Sequence, residues 1–153
     1  MLVFLFARLC SLSEIYADGL WIPIHRNAPI QYLREKESNA KEVSIWGDGT
    51  ATREFIYAED VTRALIMAAE RYSKPEPVNI GTSIETTIKE LVYMLCEMTG
   101  YKGSIKWDAS KPTGFQRRCM DVNRACKEFG FKATTPLEEG LEETIEWYNS
   151  QKR

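Results

Sequence analysis

The chain contains 153 residues, of which 44% are hydrophobic and 27% are charged, and its formal net charge is −2. These proportions are typical of a soluble globular domain, and the length favours a single domain. Because Lys and Arg are not in excess, the composition argues against a dedicated nucleic-acid-binding protein. The single histidine, His25, excludes a metal site built from two histidines.

The cysteines and the first residues bear on the cellular compartment. The four cysteines are Cys10, Cys96, Cys119 and Cys126. They form no C-x-x-C pair, so the common zinc and thioredoxin-like patterns are missing. Their spacing does not match a disulfide framework, which fits a protein of the reducing cytoplasm. The apolar run at residues 1–7 is much shorter than a membrane helix, and no signal-peptide pattern surrounds it. We therefore expect a cytoplasmic protein with no membrane, nucleic-acid or metal partner.

Clear periodic patterns begin near Lys41, whereas residues 1–35 follow neither a helical nor a strand period. The later patterns predict short strands at 42–46, 54–57, 78–80 and 104–107. They predict helices from 60 to about 72, from 88 to 99, from about 121 to 129, and from about 136 onward. Because the strands alternate with helices, the sequence predicts an α/β fold.

Short polar motifs predict where these elements begin and end. Asp60 is interpreted as the N-cap of the first helix, and Thr87 and Glu90 form a T-x-x-E capping box for the second. Gly100 fits the left-handed residue that follows the second helix, and Asn79 is interpreted as a structural amide at a strand end. The first helix is apolar over much of its circumference, so we expect other elements to pack on both of its sides.

The stretch 46–55, WGDGTATREF, combines a tight turn with an aromatic and a cationic side chain. Its glycines allow the chain to turn sharply after a strand, and the turn presents Trp46 and then Arg53. Arginine is a planar, bidentate donor that suits phosphate. On spacing alone, a structural role is favoured, in which Trp46 lies on the surface and Arg53 pairs with Glu54 or Asp60.

A second stretch, WDASKPTGFQRR at 107–118, is a strand end followed by a loop that carries Arg117 and Arg118. Loops at strand ends of α/β proteins commonly carry ligand sites. Taken by itself, this stretch is better explained as a solvated basic loop.

Several motifs, in order along the chain, resemble the C-terminal portion of the extended short-chain dehydrogenases/reductases, the NAD-dependent epimerase/dehydratase family. They are WGDGTATREFIYAED at 46–60, VNIGT at 78–82, DASKPTG at 108–114, RRCMD at 117–121 and TPLEEGLEETIEWY at 135–148. Within the family they are most similar to the bacterial GDP-L-fucose synthases. The resemblance covers about residues 36–150. It implies a substrate-binding α/β domain at 36–153, a poorly matched segment at 1–35, and no Rossmann half.

The resemblance also implies roles for individual residues. Trp46 falls at the tryptophan that contacts the nucleotide, and Arg53 falls at the arginine that contacts the diphosphate of the substrate. Arg118 falls where the family has a basic residue near the same ligand. Thr113 occupies a position where GDP-L-fucose synthases usually have an acidic substrate contact, so the identity of the sugar nucleotide stays open.

The catalytic and cofactor motifs of the family are missing from the chain. No Gly-rich dinucleotide loop is present. Tyr32 and Lys36, and Tyr148 and Lys152, have the Tyr-x-x-x-Lys spacing, but the family's pair lies far upstream of the Trp-Gly-Asp-Gly turn. We therefore expect no catalytic residue, and no NADP bound by this chain alone, although the full-length relative uses NADP.

The function implied by the resemblance is that of the nucleotide-sugar-binding part of an NADP-dependent epimerase/reductase, an oxidoreductase and isomerase. A GDP-sugar is the expected ligand. The chain is expected to be a fragment without turnover of its own, and to self-associate through exposed apolar surface on the first helix. Two alternatives stay open: part of another enzyme acting on a UDP-sugar, such as an epimerase or dehydratase, or a non-catalytic α/β interaction module.

Overall fold

The computed structural model describes residues 41–111 and 114–150, and four strands and four helices lie within those ranges. In chain order they are β1 (Glu42–Trp46), β2 (Thr52–Glu54), α1 (Ala58–Arg71), β3 (Glu85–Thr87), α2 (Ile88–Thr99), β4 (Ser104–Asp108), α3 (Asn123–Phe129) and α4 (Leu137–Ser150). The order of strands and helices confirms the predicted α/β class. No helix in these ranges has the length and apolarity needed to cross a membrane.

Two small sheets organise the strands. β1 and β4 are parallel, with Glu42 opposite Ser104 and Trp46 opposite Asp108. β2 and β3 are antiparallel. Because the carboxyl ends of parallel strands lie at the same edge of a sheet, the segments after β1 and after β4 leave from the same side. Both stretches singled out in the sequence, 46–55 and 107–118, begin at that edge.

Two apolar clusters hold the elements together. One lies between β1, α2 and α4 and contains the buried residues Val43, Leu91, Leu95 and Leu141. The other joins α1 to α3 and the segment after it through Ala64, Ala68, Ala125, Phe129 and Phe131. On the opposite face of α1, Leu65 and Ile66 are 39% and 56% exposed. Within the described ranges, α1 is therefore packed on one side, not on two as the sequence predicted.

The elements predicted from the clearest sequence patterns have the expected bounds, whereas two of the predicted short strands differ from the structure. β1 has the predicted bounds, and α2 begins at the predicted capping box, where Glu90 N–H donates to the Thr87 hydroxyl at 3.1 Å and Thr87 N–H donates to the Glu90 carboxylate at 2.8 Å. Gly100 follows α2 with a φ of 64°. The strand predicted at 54–57 lies at 52–54, residues 78–80 form no strand, and β3 was not predicted. Strands of three residues are too short to show a period.

The interpretation of Asp60 as a helix cap is wrong. α1 begins at Ala58, and Asp60 is only 2% exposed inside its first turn. The carboxylate accepts hydrogen bonds from the backbone N–H of Thr134 at 3.1 Å and of Thr135 at 2.9 Å, and pairs with Arg63. Asp60 thus attaches the segment before α4 to α1. By contrast, the side-chain amide of Asn79 donates to the Asp121 carbonyl at 3.1 Å, which confirms a structural role, although Asn79 ends no strand.

The Asp60 contacts predict a pH-dependent stability. Burial raises the pKa of Asp60, but hydrogen bonds from Thr135, Arg63 and Thr134 outweigh burial and lower it to about 2. A carboxyl with a lowered pKa stabilises the fold above its unfolded pKa, and this contribution is lost as the pH falls from about 4 to about 2. We expect Asp60→Asn to cost about 2 kcal/mol more at pH 7 than at pH 2 in urea unfolding. Glu59→Gln, an exposed neighbour, is the control, and equal pH dependence of the two variants would contradict the account.

Candidate functional site

The turn after β1 is held by its own side chains and by β4. Gly47 and Gly49 have φ values of 89° and 80°, in the left-handed region that favours glycine. Gly47 N–H donates to the Asp108 carbonyl at 2.8 Å, which attaches the turn to the end of β4. The Asp48 carboxylate accepts from the N–H and the hydroxyl of Thr50 at 2.9 and 2.7 Å, and these bonds lower the pKa of Asp48. Hydrogen bonds within the turn and to the end of β4 therefore fix its conformation.

Gly49 also allows the turn to lie close against β4 and α2. A Cβ placed on Gly49 would lie 2.8 Å from the ring of Trp107 and 3.0 Å from Cβ of Lys89. The Gly49 carbonyl accepts from Lys89 N–H at 3.0 Å, and the Ala51 carbonyl accepts from Ile88 N–H at 3.0 Å. The first turn of α2 thus supports the chain that leads into β2.

Backbone hydrogen bonds place the segment after β4 beside β2. Thr52 N–H donates to the Gln116 carbonyl at 2.8 Å, and Arg118 N–H donates to the Thr52 carbonyl at 3.2 Å, so that Thr52 and Arg117 form a parallel bridge. The Gln116 amide also donates to the Thr50 hydroxyl at 3.0 Å. As a result, Arg53 and Arg118 come to lie on adjacent lengths of backbone.

The two guanidinium groups lie close enough to affect each other. Arg53 donates to the Thr52 carbonyl at 2.6 Å, and the guanidinium carbon of Arg118 lies 4.7 Å from the ring centroid of Phe115. Partial burial lowers the pKa of Arg53, and the positive charge of Arg118 lowers it further. An anion that lies near both guanidinium groups is attracted by both charges. We call the surface formed by residues 46–53 and 114–118 the arginine cleft.

The two consecutive arginines have different surroundings. Arg117 makes a two-pronged ion pair with Glu85 on β3, with Nε 3.0 Å from each carboxylate oxygen and Nη2 2.6 Å from one of them. The Thr52 hydroxyl donates to the same carboxylate at 2.9 Å. Since successive side chains of an extended segment point to opposite sides, Arg53 and Arg118 lie on the side opposite Glu85, because Thr52 and Arg117 face it.

The carboxylates proposed as alternative partners of Arg53 bind backbone groups elsewhere. Asp60 binds the segment before α4, as described above. Glu54 accepts from Ser83 N–H at 2.8 Å, from Thr82 N–H, and from Met120 N–H at 2.7 Å. Neither the role of Glu54 nor that of Phe115 was predicted. The only signal in the sequence was the V-N-I-G-T motif, whose glycine leaves room for the Glu54 carboxylate.

The other residues predicted from the sequence lie at the end of β1, in the first apolar cluster, or outside the described residues. Trp46 is the last residue of β1, is 59% exposed, and lies opposite Asp108, where the segment that carries Arg118 begins. Thr113, Tyr32, Lys36 and Lys152 lie outside the described residues. Tyr148 packs partly buried against the first apolar cluster. Across 41–111 and 114–150, no group of three or more His, Cys, Asp or Glu side chains could hold a metal ion.

A groove of about 560 Å³ lies between β3, α2 and the start of α4. Apolar side chains such as Phe55, Tyr93 and Met94 line it, together with four glutamates, Glu85, Glu90, Glu97 and Glu138. Carboxylates repel a phosphate ligand, whereas guanidinium groups attract one. The concave shape therefore does not mark the site for an anion, and the arginine cleft is the better candidate.

The sequence is similar to known proteins. The NAD dependent epimerase/dehydratase family model matches residues 14–81, and so begins upstream of residue 36, where the motif resemblance begins. The chain is 45% identical over 118 residues to "Probable GDP-L-fucose synthase 1" of Oryza sativa subsp. japonica, covering 77% of this chain and 36% of that protein. It is 36% identical over 119 residues to GDP-L-fucose synthase of Escherichia coli K12, covering 72% and 37%. Over the matched residues the chain is similar to the NAD-dependent epimerase/dehydratase family.

Solved structures show the same fold. UDP-glucose 4-epimerase of Thermotoga maritima, determined with UDP-glucose, superimposes with a TM-score of 0.75 at 29% identity, over 83% of this chain and 40% of that one. A GDP-L-fucose synthetase from Naegleria fowleri, determined with NADP, superimposes with a TM-score of 0.72 at 21% identity, over 80% and 39%. The chain therefore spans little more than a third of the length of these curated relatives and about two fifths of these structures.

The close approach at Gly49 gives a stability prediction. Alanine at Gly49 must adopt a positive φ and also meet the Trp107 ring, whereas alanine at Gly100 must adopt a positive φ but has no atom within 4 Å of its Cβ. A left-handed alanine costs about 1–2 kcal/mol. We expect Gly100→Ala to lose about that much in urea unfolding and Gly49→Ala to lose at least about 1 kcal/mol more, because crowding is added. Equal losses would show that the turn does not rest against Trp107.

Proposed function

We propose that the arginine cleft binds the diphosphate of a nucleotide sugar, with a GDP-sugar as the preferred ligand. The observation that supports this most strongly is the parallel bridge at Thr52, which places Arg53 and Arg118 on adjacent lengths of backbone. A diphosphate offers several anionic oxygens, and arginine can bind such oxygens with two parallel N–H donors.

Aromatic side chains near the cleft suit the rest of such a ligand. Trp46 is exposed at the end of β1, and Phe115 is exposed beneath the Arg118 guanidinium. In this proposal Trp46 lies against the nucleotide, because an exposed indole face can stack on a base. Arg53 and Arg118 contact the diphosphate from two sides, and Thr113 contributes to the sugar end.

The described residues do not fit the pyrophosphate of a dinucleotide cofactor. The turn at Gly47 and Gly49 follows a parallel strand, but it leads into β2 and not into a helix N-terminus. A dinucleotide site uses backbone N–H groups at the start of a helix, directly after such a turn. We therefore propose that 36–153 supplies the substrate-binding portion of an NADP-dependent epimerase/reductase, that its cofactor and catalytic groups lie outside the described residues, and that this portion alone neither binds NADP nor turns over.

A UDP-sugar is the second candidate ligand. The Thermotoga maritima enzyme determined with UDP-glucose has the same fold at 29% identity. A cleft that binds through the diphosphate attracts both nucleotides, so the base and sugar contacts decide between them.

The exposed Leu65 and Ile66 on α1 support self-association as a secondary proposal.

The proposal predicts a specific role for Arg53. A hydrogen bond to a charged group contributes roughly 1.5–3 kcal/mol, so Arg53→Ala is expected to weaken GDP binding about tenfold or more in calorimetric titration. Arg53→Lys is expected to recover only part of this loss, because an ammonium cannot form the two-pronged contact.

Arg71→Ala serves as the control, because Arg71 is an exposed arginine at the end of α1. The control should bind GDP as the wild type does. Parallel titrations with UDP rank the two candidate ligands. Equal GDP affinity in the wild type and Arg53→Ala would refute the assignment of the diphosphate to this cleft.

A further inference from the structure

Glu54 lies directly after Arg53, and its carboxylate accepts hydrogen bonds from backbone N–H groups of two separate loops. One carboxylate oxygen accepts from the N–H groups of Thr82 and Ser83, the latter at 2.8 Å. The other oxygen accepts from the N–H of Met120 at 2.7 Å. A carboxylate that binds three backbone N–H groups is a strong local anchor, because hydrogen bonds to a charged acceptor are stronger than neutral ones.

The surrounding backbone is shaped to receive this carboxylate. A Cβ on Gly81 would collide with the Glu54 carboxylate, so only glycine permits the approach. Ser83 has a φ of 59°, and it is the one residue other than glycine with a positive φ in the described ranges. Such backbone is held in place only where the surroundings determine it. The Ser83 hydroxyl also donates to the Met120 carbonyl at 3.0 Å, which ties the two loops to each other.

These contacts reach both arginines of the cleft through the backbone. Glu54 is the neighbour of Arg53 on β2, and Met120 follows Arg118 by two residues. The backbone bond from Arg118 N–H to the Thr52 carbonyl holds the same segment from its other end. The segment 118–120 is therefore attached to β2 at two points, on either side of Arg53.

We propose that Glu54 is a positioning residue of the arginine cleft: its carboxylate fixes the segment after Arg118 to β2 and so sets the separation of the Arg53 and Arg118 guanidinium groups to that of a diphosphate. The inference rests on the proposed function, since it concerns the same ligand. Glu54 does not contact the ligand, and acts only through the backbone of the two arginines.

Comparison of GDP with GMP binding separates positioning from a loss of folded protein. Two arginines at a fixed separation favour a diphosphate over a monophosphate, so the ratio of the GDP and GMP affinities reports their spacing. Unfolding of part of the sample lowers both affinities equally or lowers the stoichiometry, and it leaves the ratio unchanged.

The test variant is Glu54→Gln, which keeps the shape of the side chain but places an NH2 group against one set of backbone N–H donors. We expect calorimetry to show GDP binding weakened about tenfold, with GMP affected much less, so that the GDP:GMP ratio falls about fivefold. Glu90→Gln is the matched control, because Glu90 also accepts a backbone N–H but lies at the start of α2, and Gln serves in a capping box. Its ratio should equal that of the wild type.

Ser83→Ala is the second variant, in case Glu54→Gln does not fold. It removes the hydroxyl bond between the two loops and leaves Glu54 in place, so a smaller fall in the GDP:GMP ratio is expected. An unchanged ratio in every folded variant, with GDP binding intact in the wild type, overturns the inference and leaves the proposed function standing. Failure of the wild type to bind GDP overturns the proposed function, and this inference with it.

Discussion

The candidate site depends on one short backbone pairing, the parallel bridge between Thr52 and Arg117. Two hydrogen bonds, at 2.8 and 3.2 Å, join the strand after the Trp-Gly-Asp-Gly turn to the segment after β4. The other described contacts between these two segments run through side chains, such as Glu54 to the N–H of Met120 and Gln116 to the Thr50 hydroxyl. The bridge therefore joins the backbone at Arg53 directly to the backbone at Arg118. Backbone that is already ordered adds little conformational-entropy cost when a ligand binds.

The pairing also accounts for the distribution of charge. Charged side chains lie on both sides of β2. Arg117 forms an ion pair with Glu85, and the Glu54 carboxylate accepts hydrogen bonds from backbone N–H groups. Arg53 and Arg118 lie on adjacent backbone, and the charge of Arg118 lowers the pKa of Arg53. The groove between β3, α2 and the start of α4 is lined by glutamates instead. An anionic ligand therefore favours the arginine cleft over this groove by simple electrostatics.

What the sequence predicted well was local in origin. The capping box at Thr87 and Glu90 and the glycine after α2 act within a few residues, so their pattern alone predicts the structure. Asp60 and Glu54 were misread or missed because their partners lie more than twenty residues away along the chain, at Thr134 and Thr135 for Asp60 and at Ser83 and Met120 for Glu54. β2 and β3 owe their existence to tertiary pairing and not to periodicity. The candidate pair Arg53 and Arg118 came from the family resemblance, and only the fold explains why they adjoin.

The most direct measurement is a crystal structure of this chain with GDP bound at saturating concentration. The account predicts that Arg53 and Arg118 both lie within hydrogen-bonding distance, about 2.7–3.2 Å, of the diphosphate oxygens. It also predicts that the backbone bridge at Thr52 and the Glu54 contacts remain as they are here, since the cleft is already formed. Density for GDP in the glutamate-lined groove, or at any place that neither guanidinium reaches, would contradict the account.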